Sequence, residues 1–163
     1  MSTPLPTQTS LLESLKHDED RFNLLVSRLS EEQQLQPVTA EGWSVKDFLA
    51  HMAHWKAATH AILVAYTHDQ PLPDVTPSGD EANAEMRQQD ASRSLQEVQD
   101  YWMASHKHFV HLVADELDDT RLSEKVRAPW GDDEEMMCVM LAEICEHDRE
   151  HFLLIERHVE AGK

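Results

Sequence analysis

Helix breakers are gathered into a few places along this chain, and that distribution steers it towards long helices. Only four glycines and seven prolines occur in 163 residues. Pro4 and Pro6 stand at the start, and Pro71, Pro73 and Pro77 share one stretch, DQPLPDVTPSGD. A glycine inside a helix costs about 1 kcal/mol relative to alanine and a proline about 3, so the stretches between breakers are where long helices can grow. Apolar residues in those stretches recur at helical spacing. Leu11, Leu12, Leu15, Phe22, Leu25, Val26 and Leu29 mark a first helix from about Thr9 to Leu29. Ser30-Glu31-Glu32-Gln33 has the form of a capping box and predicts a short extra turn that Pro37 ends. Ser44-Val45-Lys46-Asp47 has the same form and starts a second long helix running to about Thr67.

After the proline-rich stretch, helical character returns at about Glu81 and runs to Leu117, with a break near Ser92 to Ser94. DDTRLSEKVRAPWGDD reads as a second long connection, and the last helix runs from about Glu134 to Val159, ending before Gly162. No strand is expected; that expectation is weakest over Ser123 to Ala128. The predicted fold is all-α, a single four-helix bundle over residues 9–160 with long loops after helices 2 and 3. Residues 1–8 are expected to form a disordered tail.

Composition narrows the function. The net charge of −17, with histidines neutral, repels nucleic-acid phosphates and anionic lipid. The start, MSTPLPTQTS, shows no secretory pattern, and no run of eighteen apolar residues occurs, so neither a leader nor a membrane span is expected. Cys138 and Cys145 lie seven apart on one predicted helix, roughly 10 Å of rise, too far to pair with each other. They read as small core residues in a reduced, cytoplasmic protein.

Eleven histidines are many for this length. In ICEHDREHFLLIERH, Ile144 to His158, a heptad drawn through Met137, Met140, Ile144, His147, His151, Leu154 and His158 puts His147 and His151 in the core-facing seam. On the second helix, His51 lies between Phe48 and Trp55 on a stripe that continues to Ile62. A buried polar atom left unpaired costs about 1–3 kcal/mol, so three inward imidazoles are hard to explain as packing. Three neutral imidazoles on a divalent cation resolve the problem, and three histidines plus open positions is the form of a catalytic metal site. Asp47 and Glu143, each one turn before a histidine, are candidate acceptors for the outer ring nitrogens. Trp43, Trp55 and Trp130 are candidate pocket walls, with Trp102 an alternative.

The plainer reading is that these are satisfied core histidines. His54 can replace His51, be a surface residue or sit at a helix contact among Ala50, Ala57 and Ala61. His106, His108 and His111 read as a solvated or half-buried face, and His17, His60, His68 and His158 as surface residues. Glu150, beside His151, points about 100° away and reads as solvated.

GWSVKDFLAHMAHW, Gly42 to Trp55, followed downstream by EHDREH, resembles the DinB/YfiT-like superfamily of metal-binding four-helix bundles. The family pattern is Trp-Ser at the start of the second helix with a histidine eight residues after the tryptophan, here Trp43 and His51. It continues with His-x-x-x-His on the fourth helix, here His147 and His151. SLQEVQDYWMASHKHFVHLV and the final EHDREHFLLIERH look most like the ClbS/DfsB-like branch. The resemblance spans about residues 10–158. It implies a three-histidine site for a divalent metal, zinc or nickel. The superfamily includes thiol-dependent transferases, such as mycothiol-linked maleylpyruvate isomerase and bacillithiol transferases. The ClbS branch opens a strained cyclopropane by hydrolysis; many of its members lack the full histidine set that this chain keeps, and that activity is not carried over.

The expected function is therefore a metal-dependent small-molecule enzyme, either a thiol-dependent S-transferase or a hydrolase, with a role in detoxification or resistance. Its nucleophile would be a metal-bound water or a thiolate cosubstrate. The partners implied are a small molecule, a low-molecular-weight thiol and a second copy in a homodimer. The alternative is a non-catalytic bundle that binds or sequesters a small molecule.

Overall fold

The computed structural model describes residues 4–161. Residues 1–3 of the expected tail lie outside this range, and the first helix, α1, spans Gln8–Arg28. Thr7 accepts from the Ser10 N–H while the Ser10 hydroxyl accepts from the Thr7 N–H, a reciprocal cap. Gln8 ties this end down by donating to the carbonyls of Val113 and Leu117. The short helix α2, Glu31–Leu35, starts at Ser30, and α3, Val45–Thr67, starts at Ser44, both with the expected capping boxes.

The helix expected from Glu81 to Leu117 is two: α4, Asp80–Asp90, and α5, Leu95–His111. Ser94 caps α5 through Glu97, so the break near Ser92 to Ser94 is a new helix start. Beyond His111 the chain widens into a π-helical turn, Leu112–Glu116. Then come α6, Asp119–Leu122, two strands, and α7, Met137–Ala161. The strands correct the expectation of none. β1, Lys125–Arg127, pairs antiparallel with β2, Glu134–Met136, in the register Lys125 with Met136 and Arg127 with Glu134. Three-residue strands are too short to reveal a period, and only Val126 of β1 is buried. This pairing also delays the last helix from the expected Glu134 to Met137.

The long helices α1, α3, α5 and α7 form the four-helix bundle. α1 packs on α7 and α5, and α3 packs on the same two, so α1 and α3 lie diagonally across the core. Burial falls into two apolar clusters. One holds Leu15, Trp55, Ile62, Phe109, Leu141 and Ile144; the other holds Phe22, Phe48, Met52, Trp102, Phe152 and Ile155. The seam of α7 is rotated from the heptad drawn on the sequence. Asp148, Phe152 and Ile155 are fully buried, whereas Leu154 is 38% exposed and His158 is exposed. His147 and His151 consequently sit half-buried at the edge of the seam, turned towards α3.

Candidate metal centre

His51, on α3, and His147 and His151, on α7, meet at their Nε2 atoms. His147 Nε2 lies 2.9 Å from His51 Nε2 and 3.0 Å from His151 Nε2. A ring nitrogen carries either one proton or one lone pair, so His147 Nε2 cannot pair well with both neighbours. His51 is buried, and its Nδ1 has no hydrogen-bond partner. The rings are uncharged near neutrality. Burial, then the neighbouring histidines, pushes His51 and His147 down to about 3; burial alone pushes His151 down to about 4.

Three uncharged imidazoles with converging nitrogens are a donor set for a divalent cation. Bonds of about 2.0–2.1 Å in a tetrahedral arrangement place the nitrogens about 3.4 Å apart, so small outward rotations of these rings accommodate an ion. The spacing explains why the sequence delivers them together. His147 and His151 are one turn apart on one face, and both face the buried His51 across a helix contact.

Aromatic rings wall the buried side. Trp43 lies edge-on to His51 with centroids 5.6 Å apart, Trp55 lies 6.4 Å from the same ring, and Phe48 packs on His151 at 4.9 Å. The loop of the β1–β2 hairpin brings Trp130 against Trp55 at 6.2 Å. Trp102, the alternative, is absent from this wall: it is fully buried in a stack with Phe22 and His106. Two open grooves beside α1 contain none of the three clustered histidines among their lining residues.

The two candidate outer acids are placed differently. Asp47 accepts from the Ser44 N–H and hydroxyl and pairs with Arg87 at 3.3 Å, so it serves the start of α3 and makes no bond to His51. Glu143 is exposed and bonds to no imidazole. The acid at the cluster is Asp148, whose Oδ1 lies 3.3 Å from His147 Nδ1. Reading the sequence missed it because a lone aspartate in a charged helix reads as solvated. Its spacing from Ile144 and Phe152, four residues each way, was the available signal. His106 was missed in the same way; it is fully buried, and both ring nitrogens lack partners. His54 stands apart from the cluster, bonded to Asp90 at 2.6 Å.

Neither cysteine offers a nucleophile. Cys138 and Cys145 are free and buried, and burial, helped by nearby Asp18, pushes the Cys145 thiol up to about 12.

Known structures share this architecture. An uncharacterised protein from Escherichia coli UTI89 superposes with a TM-score of 0.77 at 14% identity, covering 99% of this chain and 97% of the other. YfiT from Bacillus subtilis, described as a probable metal-dependent hydrolase with an unusual four-helix bundle topology, matches with a TM-score of 0.73 at 14% identity, covering 94% and 86%. A mycothiol-dependent maleylpyruvate isomerase matches with a TM-score of 0.74 at 13% identity, covering 95% of this chain but 63% of its own. At these identities the likeness is one of fold. No match is found among curated proteins. No helix among the described residues is long and apolar enough to cross a membrane. The family model of the DinB superfamily matches residues 14–155, nearly the whole bundle and all three clustered histidines, and the chain belongs to that superfamily.

Proposed function

We propose that this chain holds one divalent cation, zinc or nickel, on His51, His147 and His151 and uses it as a cytoplasmic small-molecule enzyme. The observation that carries the reading is the contact of His147 Nε2 with two other ring nitrogens, which imidazoles alone cannot satisfy. The reaction is a thiol-dependent transfer or a hydrolysis, in keeping with superfamily neighbours described as a mycothiol-dependent isomerase and a probable metal-dependent hydrolase. A cation bound there would supply Lewis acidity and activate a water or a thiol for attack.

The chain's own residues do the rest. The three histidines stay uncharged at neutral pH and keep their lone pairs available. Trp43, Phe48 and Trp55 exclude water from the buried side, while the half-buried His147 and His151 leave the other side open to a substrate. With both protein thiols buried, the nucleophile comes from outside, as water or as a low-molecular-weight thiol. The ClbS-like branch and a homodimer are further parts of this proposal.

The test is elemental analysis of untagged protein purified without chelator, beside His147→Ala and His151→Ala. About one transition metal per wild-type chain, lost in both variants, supports the reading. A wild type still metal-free after incubation with zinc and with nickel overturns it. Turnover that depends on an added thiol separates transferase from hydrolase; stoichiometric ligand binding without turnover favours a sequestering bundle.

A further inference from the structure

A polar layer crosses the bundle between its two apolar clusters. Each long helix contributes to it: Asp18 from α1, Lys56 and Thr59 from α3, His106 from α5 and Asp148 from α7, all buried. At its centre Lys56 Nζ bonds Asp148 Oδ2, and neither side chain has any exposure. Lys56 also lies 5.1 Å from the centroid of the Trp102 ring. Taking two charges out of water is expensive, and apolar replacements of similar volume often leave a protein as stable or more so. Stability therefore gives little reason for this pair.

The second oxygen of Asp148 supplies a reason. Oδ1 faces His147 Nδ1 at 3.3 Å, on the side of the ring opposite the Nε2 that meets His51 and His151. Lys56 is five residues beyond His51, and Asp148 directly follows His147. One ion pair thus pins together the two helices that bring the histidines to one point. We propose that Asp148, anchored by Lys56, is a positioning residue that keeps the proton of His147 on Nδ1, leaving the Nε2 lone pair aimed at the other two histidines. Its purpose rests on the metal reading: a ligating nitrogen must be bare, and a carboxylate on the other nitrogen sets the tautomer and raises ligand basicity.

The test starts from the metal-free protein labelled with nitrogen-15 histidine. Wild-type His147 is expected to show its proton on Nδ1. In Lys56→Met/Asp148→Leu, which removes both members of the pair together, His147 is expected to shift towards Nε2 protonation. Zinc affinity should fall about 10- to 100-fold while the melting temperature holds or rises. A purely structural pair would move the melting temperature and leave both other readouts alone. Nε2 protonation in the wild type, or a folded double variant with wild-type tautomer and zinc affinity, overturns the proposal. The wild-type tautomer decides even if the double variant fails to fold. Nδ1 protonation in a wild type that binds no zinc supports the positioning role and sinks the metal reading; the reverse result does the opposite.

Discussion

His51 and His54 stand three residues apart on α3 and meet opposite surroundings. His54 turns to α4 and α5, where Asp90 bonds its Nε2 at 2.6 Å and the Tyr101 hydroxyl lies 3.4 Å from its Nδ1. Asp90 is held in turn by Arg93 at 3.2 Å. His51 turns to α7, where its Nε2 meets another imidazole and its Nδ1 meets nothing. In one region the chain itself satisfies both ring nitrogens; in the other it does not.

The largest expected effect tests that contrast directly. His147→Ala should weaken zinc binding by more than about 100-fold, whereas His54→Ala should leave it within about twofold, as read by competition with a chelating dye. Equal losses would break the distinction between the two sides of α3. Next, Asp90→Ala should destabilise the fold by about 1–3 kcal/mol in urea denaturation, because it leaves the half-buried His54 without its partner. Zinc affinity should be untouched, and a change in it would couple the two regions.

A pH profile sharpens the same point. The clustered histidines are pushed from 6.5 down to about 3, 3 and 4, so between those values and 6.5 the unfolded chain binds protons that the fold refuses. Their contribution is fully present above about pH 6.5 and is lost as pH falls through the folded values. Metal-free wild type should accordingly melt several degrees lower at pH 5 than at pH 7. The His51→Leu/His147→Leu/His151→Leu variant should lose less over the same interval. His106, pushed to about 3 by burial, acts in the same direction; Asp18, raised to about 6 by burial, acts in the opposite one. Both remain in the variant, so the difference isolates the cluster, and parallel profiles would show that the three rings do not titrate as described. The smallest effect belongs to Glu143→Gln. It should change stability by less than about 0.5 kcal/mol and zinc affinity not at all, since the side chain is exposed and touches no imidazole.

Helix starts were the most legible feature. Ser30 and Ser44 cap helices as their local chemistry requires, and Ser94, within what was expected only as a break, caps α5. The rotation of α7 was not legible. A strict seven-residue path from Met137 to His158 drifts about 20° per heptad around a straight helix, so a line that begins in the core at Met137 ends in solvent at His158. That drift is why Leu154 replaced Phe152 in the expected seam, and why His147 and His151 were placed at its centre and not at its edge. The Lys56–Asp148 pair was equally hidden, since its members lie 92 residues apart and each alone looks like a surface charge.

The sequence by itself determined the all-α architecture, the capped starts of α2 and α3 and the presence of His51, His147 and His151 on two helices. Those features depend on hydrogen bonds and spacings within a few residues. Only the tertiary structure decided which ring nitrogens meet, which acid stands behind His147, and that His54 is satisfied while His51 is not. Such pairings depend on how each helix is rotated against its neighbours, and that rotation is settled by packing across the whole bundle.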